Sequence, residues 1–541
     1  MRTTKLLVVA LDGATFDLIG PWAGELPNMS RLMKQGAYGT LLSTLPPITG
    51  AAWASFQTGV NPGRHGIFDW LRREEGSYRL VPISSLNIKR KTLFEFLSER
   101  GLRVGVIGVP VTYPIRPING FMISDLLTPQ GANYTFPKEL QSELEAQVKY
   151  KVAPEHWRGR AYVNEWLRGL KEGLLARKEA ALYLMGRYDW DFLMVHFMET
   201  DSVQHQMWHL IDKKPRLKYQ APIAGNPIKE IYKMADAAIG ELLQAAGDAT
   251  VFVISDHGFG PLHHNLYINN WLREQGYLVL KNNPSTLLKR AIFRIGLTQE
   301  NLFPLADRLG VLNKNSTLNV GQIHDRLSKF FLATQNIDWR RTKAYSYGNV
   351  GQIYLNMKGR EPQGCVEPQE ANRLIHEIIG KLREFKNPET GGRVIKEIYR
   401  KEEVYTGDLT TAPDIIFLPA DGYMAIGTSE FVSNKSVSPS FGGSGWHRME
   451  GIFVGMGSQI KPGVVHGMKL VDLFPTIAYA LGLPVLPDLD GQIFDALFRP
   501  EFLANHAKTF VPDEATAAHE DELTPAWEQE IRERLRALGY I

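Results

Sequence analysis

Short apolar runs alternate with amphipathic stretches along most of this 541-residue chain, and this alternation restricts the possible folds more than any other feature. Several runs carry β-branched residues at both odd and even positions, as strands covered on both faces do. The runs interpreted as buried strands span residues 5–11, 103–109, 191–197, 250–255, 352–356, 414–418 and 451–455. The helical patterns span residues 91–100, 162–188, 227–246, 369–385 and 470–481. This order predicts an α/β fold with a largely parallel central sheet.

The composition indicates an ordinary globular protein, with 44% hydrophobic and 22% charged residues. A net charge of +3 and the lack of a basic-aromatic module argue against nucleic-acid binding. A single cysteine, Cys365, excludes a disulfide framework and a cysteine-based metal cage. The apolar run near the N-terminus stops at Asp12, which disfavours a signal peptide, and no run reaches the ~18 apolar residues of a membrane span. We therefore expect a cytoplasmic protein without a transmembrane segment, and the oligomeric state stays open.

Acidic residues and histidines follow several of the predicted strands. Asp12 ends the first strand, and ligands of open α/β sheets lie beyond the carboxyl ends of the strands. Asp201 and His205 are four residues apart after the strand near residue 197, so one helical turn would place both on the same face. Asp256 and His257 follow another buried run directly, within VFVISDHG. These positions predict a cluster of ligand side chains at one edge of the sheet.

Two more candidates lie in glycine- and proline-containing segments. Thr49 is at the centre of LPPITGAAWASFQTGVNPGRHGIFDW, after two prolines and before a predicted helix. A hydroxyl at a helix start can be an N-cap, or it can face free N–H groups that favour a phosphate. His447 lies in FGGSGWHR, and we expect a flexible glycine loop to carry it to the strand ends.

Together these positions supply three carboxylates, three imidazoles and one hydroxyl. Zinc accepts this mixture, whereas magnesium and calcium prefer oxygen ligands alone. The set is too large for one tetrahedral ion and suits two divalent ions, zinc first and manganese second, which at roughly 4 Å separation can clamp a phosphoryl displacement. The predicted metal-site residues are Asp12, Thr49, Asp201, His205, Asp256, His257 and His447.

The same motifs resemble those of the alkaline phosphatase superfamily, and within it the type I phosphodiesterase/nucleotide pyrophosphatase group. The matching elements are LDG, PPIT…NPGRHGIFD, ETDSVQH, SDHG and GWHR, in that order, and the resemblance covers about residues 5–265 and 340–495. It implies a three-layer alkaline-phosphatase-like core with a mostly parallel central sheet plus a helical cap insertion. We divide the chain accordingly into core (1–270), mostly helical cap (271–342), core (343–500) and a C-terminal tail (501–541) with a helix at 525–538.

The resemblance also implies roles for the individual residues. One metal site would use Asp12, Thr49, Asp256 and His257, and the other would use the remaining three ligands. Thr49 would be the catalytic nucleophile and would form a phosphothreonine intermediate that water then hydrolyses. The implied activity is metal-dependent hydrolysis of phosphodiester or pyrophosphate bonds in a small phosphorylated substrate.

Some departures from the family pattern leave alternatives open. Nucleotide pyrophosphatases carry Pro-Asn-His soon after the nucleophile, whereas this chain has Ala51-Ala52-Trp53, so nucleotide specificity is unsettled and the oxyanion donor could be the N–H of Gly50. A phosphomonoesterase, a phosphonate hydrolase and a phosphotransferase of the same superfamily are the alternative activities. A sulfatase is excluded because its Cys/Ser-x-Pro-x-Arg motif is missing. A non-catalytic scaffold that binds an anionic or membrane-associated partner is the third alternative.

The segment from 281 to 345 contains 11 Lys/Arg and 4 Asp/Glu, and a solvated face or a substrate role would both explain this. The same two interpretations apply to Arg340, Arg341 and Lys343. Outside this segment we expect packing or surface roles for four other candidates, which are His65, His263, His264 and Trp53. His209, one turn after His205, is expected to support the ligands from behind or to lie at the surface.

Overall fold

A computed structural model gives the structure of the protein, and it describes residues 5–153, 155, 157, 162–212, 223, 225–302, 331–427, 431–440, 443–512 and 524–538. The strands are β1 (Leu6–Leu11), β2 (Ala37–Leu42), β3 (Leu71–Arg73), β4 (Leu80–Pro82), β5 (Val104–Ile107), β6 (Gly120–Ile123), β7 (Thr135–Phe136), β8 (Phe192–Phe197), β9 (Thr250–Ile254), β10 (Gly258–Tyr267), β11 (Ala344–Tyr345), β12 (Gln352–Leu355), β13 (Ile395–Arg400), β14 (Ile415–Pro419), β15 (Gly422–Ile426), β16 (Val437–Pro439), β17 (Gly445–Arg448), β18 (Glu450–Met456), β19 (Gly463–Val464) and β20 (Met468–Lys469).

The α-helices are α1 (Phe16–Ile19), α2 (Pro27–Gln35), α3 (Thr49–Thr58), α4 (Pro62–His65), α5 (Leu93–Glu99), α6 (Leu140–Gln147), α7 (Val163–Arg187), α8 (Glu199–Met207), α9 (Pro227–Ala246), α10 (Ile268–Glu274), α11 (Pro284–Arg294), α12 (Pro368–Arg383), α13 (Lys401–Val404), α14 (Leu473–Ala480), α15 (Pro500–Asn505) and α16 (Pro525–Leu538). The strands and helices predicted from the sequence are confirmed to within a few residues at their ends. In the described part of the chain, no helix is both long and apolar enough to cross a bilayer.

The main sheet has the strand order β19-β2-β18-β9-β1-β8-β5-β6-β7, and β20 also pairs with β2. Strands β9, β1, β8, β5 and β6 run parallel to one another. Strand β18 is antiparallel to both β9 and β2. The sheet is therefore mixed parallel and antiparallel at the end that contains β2 and β18. The predicted mostly parallel sheet is confirmed.

Helices cover both faces of this sheet, because alternate residues of its strands point to opposite sides. On β1, Leu7 and Val9 belong to a core cluster with α7 and α9, while Leu6 and Val8 belong to a second cluster with α3, α5 and α14. All six residues of β1 are buried. The sheet is therefore the middle of three layers, and the predicted three-layer α/β fold is confirmed.

Two of the predicted strands lie outside the main sheet. Strands β12 and β14 belong to a separate antiparallel sheet with the order β11-β12-β14-β13. A third sheet is built around the long strand β10, which pairs with β15, β16 and β17. Periodicity identified β12 and β14 as buried strands, but it carries no information on the sheet to which a strand belongs.

The predicted cap segment, 271–342, includes α11 and part of α10. Trp271 and Phe293 from this segment share one hydrophobic cluster with Ile353 of β12 and Ile375 of α12. The boundaries of the cap are not tested by the structure, and residues 303–330 of this segment lie outside the described residues. The predicted C-terminal helix is present as α16, and residues 513–523 of the predicted tail lie outside the described residues.

Candidate active site

Three neighbouring parallel strands end at the edge of the sheet where the predicted ligands lie. Asp12 follows β1, Asp201 and His205 are on α8 just after β8, and Asp256 and His257 form the turn between β9 and β10. Asp201 and His205 share one helical face, as their spacing predicts, with 3.3 Å between Asp201 Oδ1 and His205 Nε2. The sheet thus brings these five side chains to one edge.

Thr49 is the first residue of α3, and it is fully buried. The N-cap of this helix is Ile48, and no side chain caps it by a hydrogen bond. Instead, Thr49 Oγ1 lies 3.2 Å from His257 Nε2. The hydroxyl is therefore directed at the predicted ligands and not at its own helix.

His447 reaches the same place from a strand, which corrects the expectation of a flexible loop. It lies on β17, opposite Phe259 of β10 in an antiparallel pair. The preceding glycine, Gly445, allows close packing, since a Cβ there would lie only 2.5 Å from the carbonyl oxygen of Gln204 on α8. Close approach of two backbones, and not flexibility, thus explains a glycine at 445.

All three predicted imidazole ligands are oriented in the same way. His257 Nδ1 lies 3.1 Å from the carbonyl oxygen of Gly258, His205 Nδ1 lies 3.2 Å from that of Gly445, and His447 Nδ1 lies 3.0 Å from that of Pro47. Because a carbonyl oxygen only accepts, each Nδ1 carries the proton and donates it. Each Nε2 is then an unprotonated nitrogen with a lone pair, as a metal-binding histidine requires.

The three Nε2 atoms point into a small acidic centre. His205 Nε2 and His447 Nε2 are 3.0 Å apart, and His447 Nε2 lies 3.2 Å from Asp201 Oδ1. The His257 and His447 rings stack with 3.7 Å between their centroids. Two lone pairs and a carboxylate oxygen at such distances repel one another unless a cation lies among them.

A second group of ligand atoms adjoins the first through His257. His257 Nε2 lies 3.3 Å from Asp256 Oδ2 and 3.6 Å from Asp12 Oδ1. Both carboxylate oxygens, Asp256 Oδ2 and Asp12 Oδ1, are buried, and neither accepts a hydrogen bond from the described residues. Their partner oxygens are occupied, because Asp256 Oδ1 accepts from the N–H of Gly13, and Asp12 Oδ2 accepts from Trp53 and His196.

The pKa shifts follow from burial and mutual repulsion. Burial and the charge of Asp201 raise the pKa of Asp12 well above its ordinary value, and burial and the charge of Asp12 do the same for Asp256. Burial also tends to raise the pKa of Asp201, whereas protonation of the adjacent His205 and His447 lowers it well below normal. Burial lowers the pKa of His257 and His447. Neutral imidazoles beside crowded carboxylates are the arrangement expected of a cation site.

These atoms satisfy the requirements for divalent metal ions. Asp12, Asp256 and His257 place three ligand atoms within 4.8 Å of one another, and so do Asp201, His257 and His447. Donor-free carboxylate oxygens, unprotonated Nε2 atoms and the absence of cysteine match a nitrogen/oxygen site for a borderline metal such as zinc. The structure therefore contains two adjoining candidate metal clusters beside Thr49.

The sequence did not indicate two residues that hold Asp12. Trp53 Nε1 donates to Asp12 Oδ2 at 3.0 Å, and His196 Nε2 lies 2.7 Å from the same oxygen. Burial, with a smaller effect of the positive charge of Arg177, lowers the pKa of His196 to about 3, so this neutral histidine donates to the carboxylate. His196 is in the middle of β8, and Trp53 is one turn after Thr49. The only signal in the sequence was the position of Trp53 one helical turn after Thr49, and no signal pointed to His196.

The other candidate histidines lie outside the two clusters. His65 is buried beneath α3, with Nε2 2.9 Å from Ser55 Oγ, as predicted. His209 is buried against Ser444, just before β17. His263 pairs with Asp212 at 2.5 Å, and His264 stacks on Tyr423. Arg340, Arg341 and Lys343 are all exposed.

A cleft that is open to solvent adjoins the clusters at His447. Pro47 and Trp446 line its side on the main core, and Lys396 and Tyr423 line the side formed by the smaller sheets. His447 is the one predicted ligand in this lining. A substrate entering here would meet the metal clusters from the His447 side.

This α/β fold, with Thr49 beside two candidate metal clusters, defines a class of hydrolases that act on phosphorus-oxygen bonds. The family model described as type I phosphodiesterase / nucleotide pyrophosphatase matches residues 6–441, so the chain belongs to this family. Its members are hydrolases of phosphoester or pyrophosphate bonds, and the predicted enzyme class is confirmed. No curated protein gives a significant match.

Two solved structures are similar to this one. The crystal structure of phosphonoacetate hydrolase from Sinorhizobium meliloti 1021 in complex with phosphonoformate matches with a TM-score of 0.52 and 16% sequence identity, over 88% of this chain and 95% of that chain. Human ectonucleotide pyrophosphatase / phosphodiesterase 5 matches with a TM-score of 0.49 and 13% identity, over 91% of this chain and 98% of that chain. At such identities, the first match supports the fold alone.

Proposed function

We propose that this protein is a metal-dependent phosphohydrolase that cleaves phosphodiester or pyrophosphate bonds through a covalent phosphothreonine at Thr49. The observation that carries the proposal is the position of Thr49 Oγ1, which is buried at a helix start and 3.2 Å from His257 Nε2. One metal ion would be held by Asp12, Thr49, Asp256 and His257. The other would be held by the remaining predicted ligands, Asp201, His205 and His447.

In the first step, Thr49 Oγ forms a bond to phosphorus while the bond from phosphorus to the leaving-group oxygen breaks. Divalent ions at these sites would lower the pKa of the Thr49 hydroxyl and offset the negative charge of the phosphoryl and leaving-group oxygens. The backbone of α3 contributes directly, because the N–H of Gly50 and the positive end of the helix dipole favour an anionic phosphoryl group. The Thr49 hydroxyl loses its proton as the new bond forms, and the leaving-group oxygen gains one as it departs, so the step balances.

In the second step, water attacks phosphorus and the bond to Thr49 Oγ breaks, which returns the hydroxyl and releases the phosphorylated product. The protein keeps Thr49 in line by fixing α3 against β1, through the Trp53–Asp12 hydrogen bond. The backbone carbonyls of Pro47, Gly258 and Gly445 keep the three imidazoles directed at the reaction centre. These contacts pre-organise the site before substrate binds.

The test is hydrolysis of bis-p-nitrophenyl phosphate by the purified protein, with zinc, with manganese and after chelation. We expect activity that chelation removes and metal restores, and a stoichiometric phosphoryl adduct on Thr49 after rapid acid quench. Metal-replete protein without activity on diesters, monoesters or pyrophosphates would refute the proposal. Activity without an adduct, and unchanged in Thr49→Ala, would refute the covalent mechanism alone.

The same substrate panel separates the alternatives named above. A preference for p-nitrophenyl phosphate indicates a phosphomonoesterase, cleavage of a phosphonate carbon–phosphorus bond indicates a phosphonate hydrolase, and transfer to an added alcohol indicates a phosphotransferase. Full cellular function in Thr49→Ala would favour the non-catalytic scaffold. The proposed substrate is a small phosphorylated molecule. Zinc as the preferred metal and a cytoplasmic location also remain proposals, which metal analysis of the native protein and cell fractionation test.

A further inference from the structure

Exposed aliphatic side chains are concentrated on one helix of the protein. Leu287, Leu288, Ile295 and Leu297 are between 44% and 74% exposed, and they fall within eleven positions on α11 and the turn that follows it. Among the described residues, the other large hydrophobic side chains exposed to this degree are scattered, at Leu175, Val464 and Phe510. A contiguous cluster of this kind, unlike scattered exposed residues, marks an interaction surface.

The orientation of α11 is fixed by its inner face. Asn283 caps the helix by accepting the N–H of Thr286, and Thr286 Oγ1 accepts from Asn336 Nδ2 at 3.0 Å. Phe293 packs edge-to-face on Phe431, with 6.0 Å between the ring centroids. The outward direction of the leucines is therefore set by contacts on the opposite side of the helix.

A surface helix in water is expected to bury its leucines and to expose its lysines, and α11 does the opposite. Lys289 lies on the inner face, where its side chain is largely buried, has no ion-pair partner among the described residues, and has its pKa lowered by burial. Leu288, the adjacent residue, is 64% exposed. A helix that turns its lysine inward and its leucines outward is expected where the outer face meets an apolar phase.

The charged residues within the patch segment are all cationic, and one glutamate flanks it at each end, Glu274 and Glu300. From residue 275 to 299 the sequence contains Lys281, Lys289, Arg290 and Arg294, and no acidic residue. Lys281 and Arg294 are exposed, and Arg290 is half-buried and bonded to Asn282. Aliphatic residues flanked by cations match the apolar interior and anionic headgroups of a lipid surface.

We propose that α11 and the turn at 295–297 dock the protein on the surface of an anionic lipid bilayer. A second copy of the chain is a poorer occupant, because a two-fold interface would set this cationic patch against itself. The docking is peripheral, with the leucines and Ile295 entering the interface and the arginines lying at headgroup level. It is independent of the reaction at Thr49.

Cosedimentation with vesicles tests this docking. We expect the full-length protein to sediment with phosphatidylcholine vesicles that contain one third phosphatidylglycerol, less with phosphatidylcholine alone, and less at high salt. The double variant Leu288→Glu/Ile295→Glu should bind anionic vesicles at least about tenfold more weakly. The control is Leu175→Glu on α7, which changes a 44% exposed leucine outside the patch and should bind like the wild type.

Other results would overturn the proposal. These are no binding to anionic vesicles, equal binding to both vesicle types, or an equal loss in Leu175→Glu. A wild-type dimer that the double variant dissociates would assign the patch to self-association instead. Unchanged thermal unfolding and unchanged hydrolysis of a soluble diester in all variants show that the fold and the active site are intact.

Discussion

Replacing Trp53 by phenylalanine removes one hydrogen-bond donor from Asp12 while an aromatic ring remains at the same place in α3. Trp53 Nε1 and His196 Nε2 both donate to Asp12 Oδ2, at 3.0 and 2.7 Å, which leaves Oδ1 directed toward the candidate metal cluster. All three residues are fully buried, so water does not replace the lost donor. We expect the Trp53→Phe protein to fold but to bind metal more weakly.

The size of the effect follows from the type of bond. A hydrogen bond to a charged group contributes about 1.5–3 kcal/mol, which corresponds to about ten- to hundredfold in an equilibrium constant. Loss of a residue that orients a metal ligand weakens metal binding by a similar factor. Since His196 still holds Asp12, we expect the lower part of this range, about tenfold.

Trp166 provides a matched control on α7. Its Nε1 also donates a hydrogen bond, partly buried and 3.0 Å long, to the carbonyl oxygen of Glu155, outside the candidate site. Zinc affinity would be measured by competition with a chelating indicator, and the ligand field by the visible spectrum of the cobalt-substituted protein. Trp53→Phe should change both, and Trp166→Phe neither. Equal changes in the two variants, or none in Trp53→Phe, would refute the orienting role of the indole.

Substitutions at three other positions test separate parts of the structure. Thr49→Ala should lower kcat for a diester by at least about a thousandfold, whereas Thr49→Ser should form a phosphoryl adduct; an active alanine variant contradicts the nucleophile assignment. Burial raises the pKa of Asp69 from 3.8 to about 7, so the native state keeps a proton that the unfolded chain loses, and stability falls as pH rises through this window. Asp69→Asn should remove this loss of unfolding free energy, which amounts to up to about 4 kcal/mol. Urea unfolding at both ends of the pH window measures it, and an unchanged pH dependence in the variant would refute the prediction. Gly348→Ala should destabilise the protein by at least about 2 kcal/mol, because φ is +78° and the new Cβ would lie 1.9 Å from Asp69 Oδ2; unaltered thermal unfolding would contradict this.

Much of the fold was predictable because its central strands are buried on both faces. The runs that became β1, β8 and β9 have β-branched or aliphatic residues at both parities, which periodicity detects directly. Strand β2 escaped notice because its sequence, AYGTLL, does not alternate between apolar and polar residues and contains Gly39, where a Cβ would lie 1.9 Å from the carbonyl oxygen of Val465. The close approach that requires this glycine depends on a segment more than four hundred residues away.

The candidate site was predictable as a set of residues but not as a geometry. The positions after strands identified Asp12, Asp201 and Asp256, because the ends of parallel strands share one edge. The strand that carries His447 could not be predicted, since its pairing with β10 depends on how Gly445 packs on α8. His196 was hidden in an apolar strand, where a buried histidine has no signature in the sequence. The metal-ligand roles of all seven residues remain a prediction.

The strand order has a consequence for how the chain is made. Strand β2 is completed at Leu42, yet its partners β18, β19 and β20 begin only at Glu450 and beyond. At ribosomal speeds of about 5–20 residues per second, both edges of this strand stay unpaired for roughly 20–80 s. During that interval the nascent polypeptide presents an open template for intermolecular β-pairing. Shielding of residues 37–42, by a chaperone or the ribosome surface, until the last sixth of the chain emerges would prevent this intermolecular pairing.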